Sequence, residues 1–193
     1  MSTGTGTQAT PNSRERLLDA AANLTYRDGV GIGVEALCKA AGVSKRSMYQ
    51  LFAGKDELLA ASLERRAAQV GEGMVPPADA KLSPRASIMY VFERVEAYAL
   101  EPWYKGCPYL AAQIELKDVE HPASRIASRI KQGLEGFFRL QAERGGAADP
   151  EFLGRQLVLV FDGASARAGI RADDLRGLAT RTVAALLDAA GVG

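Results

Sequence analysis

Apolar residues recur three and four positions apart along nearly the whole of this 193-residue chain, and no stretch alternates convincingly with period two. That spacing stacks apolar side chains on one face of a helix and leaves nothing to line one face of a sheet, so the expected fold is all-α. About nine helices are predicted. Asn12 and Glu15 have capping-box spacing, Leu17, Ala21 and Leu24 give the first helix its buried stripe, and Gly29 ends it. Val34, Leu37, Cys38 and Ala41 stand at i, i+3, i+4 and i+7 in a short second helix closed by Gly42. Ser44 caps a third, in which Met48, Leu51 and Phe52 face inward. The fourth runs from about 54 through Leu58, Leu59 and Leu63, with Asp56 and Glu57 in its first turn.

Val75-Pro76-Pro77 stops that helix and Ser83-Pro84 restarts the chain, which places a boundary near residue 76. The expected organisation is a Thr/Gly-rich arm over 1–12, a unit over 13–75, and a helical bundle over 76–193. Ile88, Val91, Phe92, Val95 and Tyr98 mark the fifth helix, a sixth follows Gly106, and a seventh after His121-Pro122 carries Ile126, Ile130, Leu134, Phe137 and Phe138. The eighth, 151 to about 170 after Asp149-Pro150, is apolar around much of its circumference and so needs covering on two sides. The ninth aligns Leu175, Leu178, Ala179, Thr182, Val183, Leu186, Leu187 and Ala190 in one stripe, with Gly163, Ala164 and Ala168 on its neighbour permitting close approach.

Bulk charge carries no information about partners, because 24 Lys and Arg oppose 23 Asp and Glu. Its placement does: Lys39, Lys45, Arg46 and Lys55 fall within 36–55, where there is no acidic residue. The two cysteines, Cys38 and Cys107, lie far apart with no His cluster, which opposes a zinc site or a disulfide framework and fits a reducing cytoplasm. No apolar run reaches membrane-spanning length, so no membrane partner is expected. Without a glycine-rich phosphate loop, a metal-ligand cluster or a nucleophile beside a spaced base, an enzyme is the lesser reading, and no cofactor or metal is expected.

Two short helices joined through Ala40-Ala41-Gly42-Val43-Ser44 have the form of a helix-turn-helix, whose second helix enters the major groove of double-stranded DNA. Lys45 and Arg46 are able to donate to guanine O6 and N7, and Ser47 to several bases. Residues 34–59, VEALCKAAGVSKRSMYQLFAGKDELL, resemble the DNA-binding signature of the TetR family, with its Ala-Gly-Val-Ser turn, Tyr-x-x-Phe recognition helix and following Lys-x-x-Leu. The likeness is strong over about 13–66; Gly106-Cys107-Pro108-Tyr109 and Phe161-Asp162-Gly163-Ala164 carry a fainter one to a C-terminal variety of these regulators.

The resemblance implies a homodimeric transcriptional regulator, by default a repressor, that leaves operator DNA when a small molecule enters a cavity in the C-terminal bundle. Carried across position by position, Lys45, Arg46, Ser47 and Gln50 face bases, while Ser44, Tyr49 and Lys55 face phosphates. Ile32-Gly33 stands where hydroxyl residues usually cap the second helix, and Gly54 where a Ser is common. For the ligand, the expectation is Phe92, Trp103, Tyr109, Phe137 and Val160 as walls with Gln113 as a polar orienting group. Arg65, Arg66, Glu96 and Glu115 read as solvated charges, Lys39 as part of a solvated face, Cys38 as core and His121 as a turn residue. Two alternatives stand beside this reading: a thiol trigger at Cys107, whose pKa a helix start would lower, and a helical enzyme whose helix-turn-helix is architectural.

Overall fold

The computed structural model describes residues 12–77 and 79–193, so the expected arm lies, apart from Asn12, outside the described residues. These residues form nine helices and no strand: α1 Ser13–Asp28, α2 Val34–Ala41, α3 Lys45–Leu51, α4 Lys55–Met74, α5 Pro84–Ala99, α6 Pro108–Leu116, α7 Pro122–Arg144, α8 Pro150–Gly169 and α9 Leu178–Ala189. Their ends follow local chemistry. Asn12, Ser44, Ser83 and Asp149 each accept a hydrogen bond from the amide three residues on, at 3.0, 3.0, 3.1 and 2.9 Å. Proline opens α5, α6, α7 and α8, where its missing N–H costs nothing.

The first three helices close on Leu17, Leu18, Ala21, Leu37, Cys38, Met48 and Phe52, with Leu58 of α4 completing that core. A larger core gathers α5, α7, α8 and α9 around Phe92, Phe138, Leu153, Leu157, Val183 and Leu187, and the rings of Phe92 and Phe138 stack 5.5 Å apart. Between the two, Leu59 and Leu63 of α4 meet Ala112 of α6 and Ala123 of α7. α4 thus joins both cores.

Polar ties cross the same joint. The Tyr26 hydroxyl, near the end of α1, donates to the Gly106 carbonyl at 3.1 Å and accepts the Lys105 amide at 2.8 Å. Glu115 of α6, exposed as expected, also accepts the Val30 amide at 2.8 Å and so caps the chain leaving α1. Arg129 of α7 reaches Glu64 of α4 at 2.6 Å. His121 holds its expected turn position, its Nδ1 accepting the Ala123 amide, and its Nε2 sits 3.3 Å from Asp56 at the start of α4.

Three other expectations change. Glu96 on α5 is also a cap, accepting the Thr180 amide at 3.0 Å at the open N-terminus of α9, where Gly177 offers no side chain. Leu175 is buried but precedes α9: it takes a positive φ of 66°, and its amide is drawn to the Asp173 carboxylate at 2.9 Å. Close approach to α8 occurs not at Gly163, which faces open space, but at Gly154 and Gly169. A Cβ on Gly154 would stand 3.3 Å from the Arg139 amide nitrogen of α7, and one on Gly169 2.6 Å from the Lys105 carbonyl.

Candidate nucleic-acid interface and effector cavity

The turn between α2 and α3 is built by one glycine and one serine. Gly42 takes the left-handed conformation (φ 62°, ψ 38°), which a β-carbon would oppose, and the Val43 amide returns to the Cys38 carbonyl at 3.0 Å. Ser44 Oγ then accepts the Ser47 amide, starting α3. With Met48 and Phe52 packed inward, the opposite side of α3 presents Lys45, Arg46, Tyr49 and Gln50 to solvent, Tyr49 being 56% exposed. Leu51, expected to face inward, is exposed at the end of this short helix.

The hydroxyls of Ser44 and Ser47 lie 2.9 Å apart, so one of their two protons is spent between them and the other is left for an acceptor. Lys45 Nζ stands 3.3 Å from Glu35 on α2, both exposed. No ion pair involving Arg46 occurs among the described residues. Lys55 is the first residue of α4, whose N-cap Gly54 supplies no side-chain bond, and α2 likewise starts at an uncapped Gly33. Both helix starts therefore leave first-turn amide N–H groups without an N-cap side-chain acceptor.

An exposed pair such as Lys45 and Glu35 contributes little to stability, yet its carboxylate repels phosphate. Glu35→Gln is expected to raise affinity for any duplex alike, by up to about fivefold. Anisotropy titrations on two unrelated duplexes measure this, and a gain confined to one of them would contradict it.

A second site opens between α4, α6, α7 and α8: a cavity of about 470 Å³ walled by Tyr26, Met74, Tyr98, Trp103, Tyr104, Tyr109, Leu134, Phe137 and Phe161. Of the residues expected to line it, Trp103, Tyr109 and Phe137 do. Phe92 is sealed in the core on Phe138, Gln113 donates to Ser128 Oγ at 2.9 Å across α6 and α7, and Val160 packs against the larger core. Burial raises the phenols, Tyr109 to about 12 and Tyr104 further, so both stay protonated donors at neutral pH. Cys107 is also in the wall, but burial pushes its thiol up, outweighing Lys131 and the amides of Leu110 and Tyr109. That is the opposite of the lowering expected from a helix start.

Two charged wall residues carry no sequence signal, because their partners are distant in the chain. Lys131 of α7 is ion-paired with Asp162 of α8 and lies 4.8 Å from the centre of the Phe161 ring. Arg66 of α4, expected on the surface, lies 4.1 Å over the Tyr26 ring. Neighbouring Arg65 bridges Glu15 and Asp19, tying α4 to α1.

A helix-turn-helix with an exposed cationic face, set on a bundle with an apolar cavity, defines a DNA-binding regulator. Residues 17–62 match the model of the bacterial regulatory proteins of the tetR family. The solved structure of a TetR transcriptional regulator from Streptomyces avermitilis is 67% identical, with a TM-score of 0.93 over 95% of this chain and 100% of that one. A TetR-family regulator from Streptomyces coelicolor is 26% identical, with a TM-score of 0.78 over 93% and 96% of the two chains. Reduced NemR from Escherichia coli, 20% identical with a TM-score of 0.74 over 93% and 97%, shares the fold. No curated protein matches. The chain belongs to the TetR family of transcriptional regulators, and its class is that of DNA-binding regulators rather than enzymes. Among the described residues no helix is long and apolar enough to cross a membrane.

Proposed function

We propose that this protein is a homodimeric repressor that reads a two-fold operator with α3 and releases it when a small molecule fills the cavity beneath α4. The observation that carries this is the face of α3, where Lys45, Arg46, Tyr49 and Gln50 stand exposed while Met48 and Phe52 fix the helix from behind. In this reading Lys45, Arg46, Ser47 and Gln50 meet bases, and Ser44, Tyr49 and Lys55 hold phosphates. Residues 13–75 form the reading head and 76–193 the effector and dimer unit, with Tyr26, Arg66 and Met74 of the head closing one side of the cavity.

An uncovered apolar stripe supports the dimer. Along α8 and its C-cap, Phe152 (55% exposed), Leu159 (74%) and Ile170 (76%) share a side with Gly163 and Ala166, and on α9 exposed Leu178 is followed by a row of smaller residues, Thr182, Ala185 and Ala189. Small residues let helix backbones approach closely, and a second copy brings the same rows in isologous contact. Two heads are then set at a fixed spacing, which is how a dimer reads two half-sites.

Leu159→Arg tests this reading. Sedimentation at micromolar concentration is expected to show wild type as a dimer and the variant as a folded monomer that loses tight DNA binding. A wild-type monomer that binds DNA tightly would contradict it.

A further inference from the structure

Resting on the proposal that this cavity is the effector site, we infer that it takes an amphipathic monoanion, an aromatic or long apolar body ending in a carboxylate, and that Arg66 is the anchor for the charge. Among the described residues, the wall carries two cationic side chains, Arg66 and Lys131. Lys131 is neutralised by Asp162. Arg66 has no ion pair among the described residues: its contacts there are the face of Tyr26 and the Ala22 carbonyl at 3.5 Å, and its Nε is buried with no hydrogen-bond partner among them. Glu115, which lines an adjoining pocket together with Arg66, accepts the Val30 amide and forms no ion pair with Arg66 among the described residues.

A guanidinium with donors unfilled beside an apolar cavity is a site for a carboxylate, which it meets through paired N–H bonds. The remaining wall fits the other end of such a ligand: aromatic faces, Met74, Leu134 and phenols that stay protonated. A cationic ligand would place its charge in the field of an unpaired Arg66. The position also explains how such a ligand would be felt at the DNA. Arg66 lies on Tyr26, and the Tyr26 hydroxyl holds the backbone at Lys105 and Gly106. A carboxylate that draws the guanidinium off that ring acts on the contact between α1 and α4, the two helices that carry the reading head.

Trp103, the single tryptophan, stands in the cavity wall and reports occupancy by its emission. The probes are 4-phenylbutyrate, 4-phenylbutanamide and 4-phenylbutylammonium, alike in body and different in charge. Wild type is expected to bind the carboxylate about tenfold to a hundredfold more tightly than the amide, the range for hydrogen bonds to a charged group, and the ammonium most weakly. Arg66→Gln is expected to abolish that preference, the carboxylate losing its advantage over the amide, and Arg66→Lys to keep part of it. Should Arg66→Gln weaken the amide as well, the wild-type ranking and Arg66→Lys decide. An amide or ammonium that binds wild type as tightly as the carboxylate overturns the anion assignment and leaves the cavity as an apolar effector site. If none of the three probes alters Trp103 emission, the cavity reading falls, and this inference with it.

Discussion

Gly106→Ala is expected to destabilise the protein by about 2–4 kcal/mol, the sum of an overpacked contact and a left-handed residue given a side chain. Gly106 has a φ of 86°, and a β-carbon there would stand 2.7 Å from the Ser165 carbonyl of α8. Gly169 meets the same loop from the other side, its Cβ falling 2.6 Å from the Lys105 carbonyl and 2.7 Å from the Gly106 amide. All these neighbours are backbone, so no rotamer change relieves the clash and the loop itself must move. In a chain of this length the loss corresponds to roughly 5–15 °C of Tm. Gly169→Ala should behave similarly. Gly136→Ala, inside α7 with nothing within 4 Å of its Cβ, is the control, expected to be neutral or stabilising by up to about 1 kcal/mol. Thermal denaturation of the three variants measures the difference; equal Tm values would show that the loop yields freely. Because this loop receives the Tyr26 hydroxyl, its displacement also slackens the tie between the cavity and α1.

The second large effect separates reading from gripping. Arg46 projects from the exposed face of α3, and Lys55 begins α4 beside uncapped amides. Both are cationic, but a guanidinium on a guanine edge discriminates bases, whereas an ammonium on a phosphate does not. Arg46→Ala is expected to cost about 1–3 kcal/mol in each half-site and to relax preference at one base pair there. Lys55→Ala is expected to weaken every duplex alike and to lower the log–log salt slope by roughly one unit per half-site, as one fewer counterion is released. Salt titrations on a preferred and a scrambled duplex distinguish them. If Lys55→Ala alters base preference with an unchanged slope, the two roles are reversed.

What the sequence disclosed followed the range of the interaction. Helix starts at Asn12, Ser44, Ser83 and Asp149 depend on atoms three residues apart, and the residues that make them are adjacent in the text. The split between the buried and exposed sides of α3 is equally local, since Met48 and Phe52 stand one turn apart. Contacts made at a distance were not legible: Glu115, though exposed, binds an amide 85 positions away, Glu96 one 84 away, and Arg66 stacks on an aromatic ring of α1. Hydropathy cannot tell a core face from a cavity wall, as both are apolar. Phe137 and Phe138 are neighbours on α7, yet one faces the cavity and the other is sealed against Phe92. Leu175 fits the stripe of α9, but the turn through Asp173 and Gly177 starts the helix three residues later.

If α3 reads sequence from two copies of the chain at once, selection of bound duplexes from a random-sequence pool reveals it. The recovered sites should share an inverted repeat whose half-site centres lie about one helical turn apart or a multiple of it, each duplex taking up protomers in pairs. A pool that shows no enrichment, or that yields single half-sites occupied by one protomer, would contradict paired reading by α3.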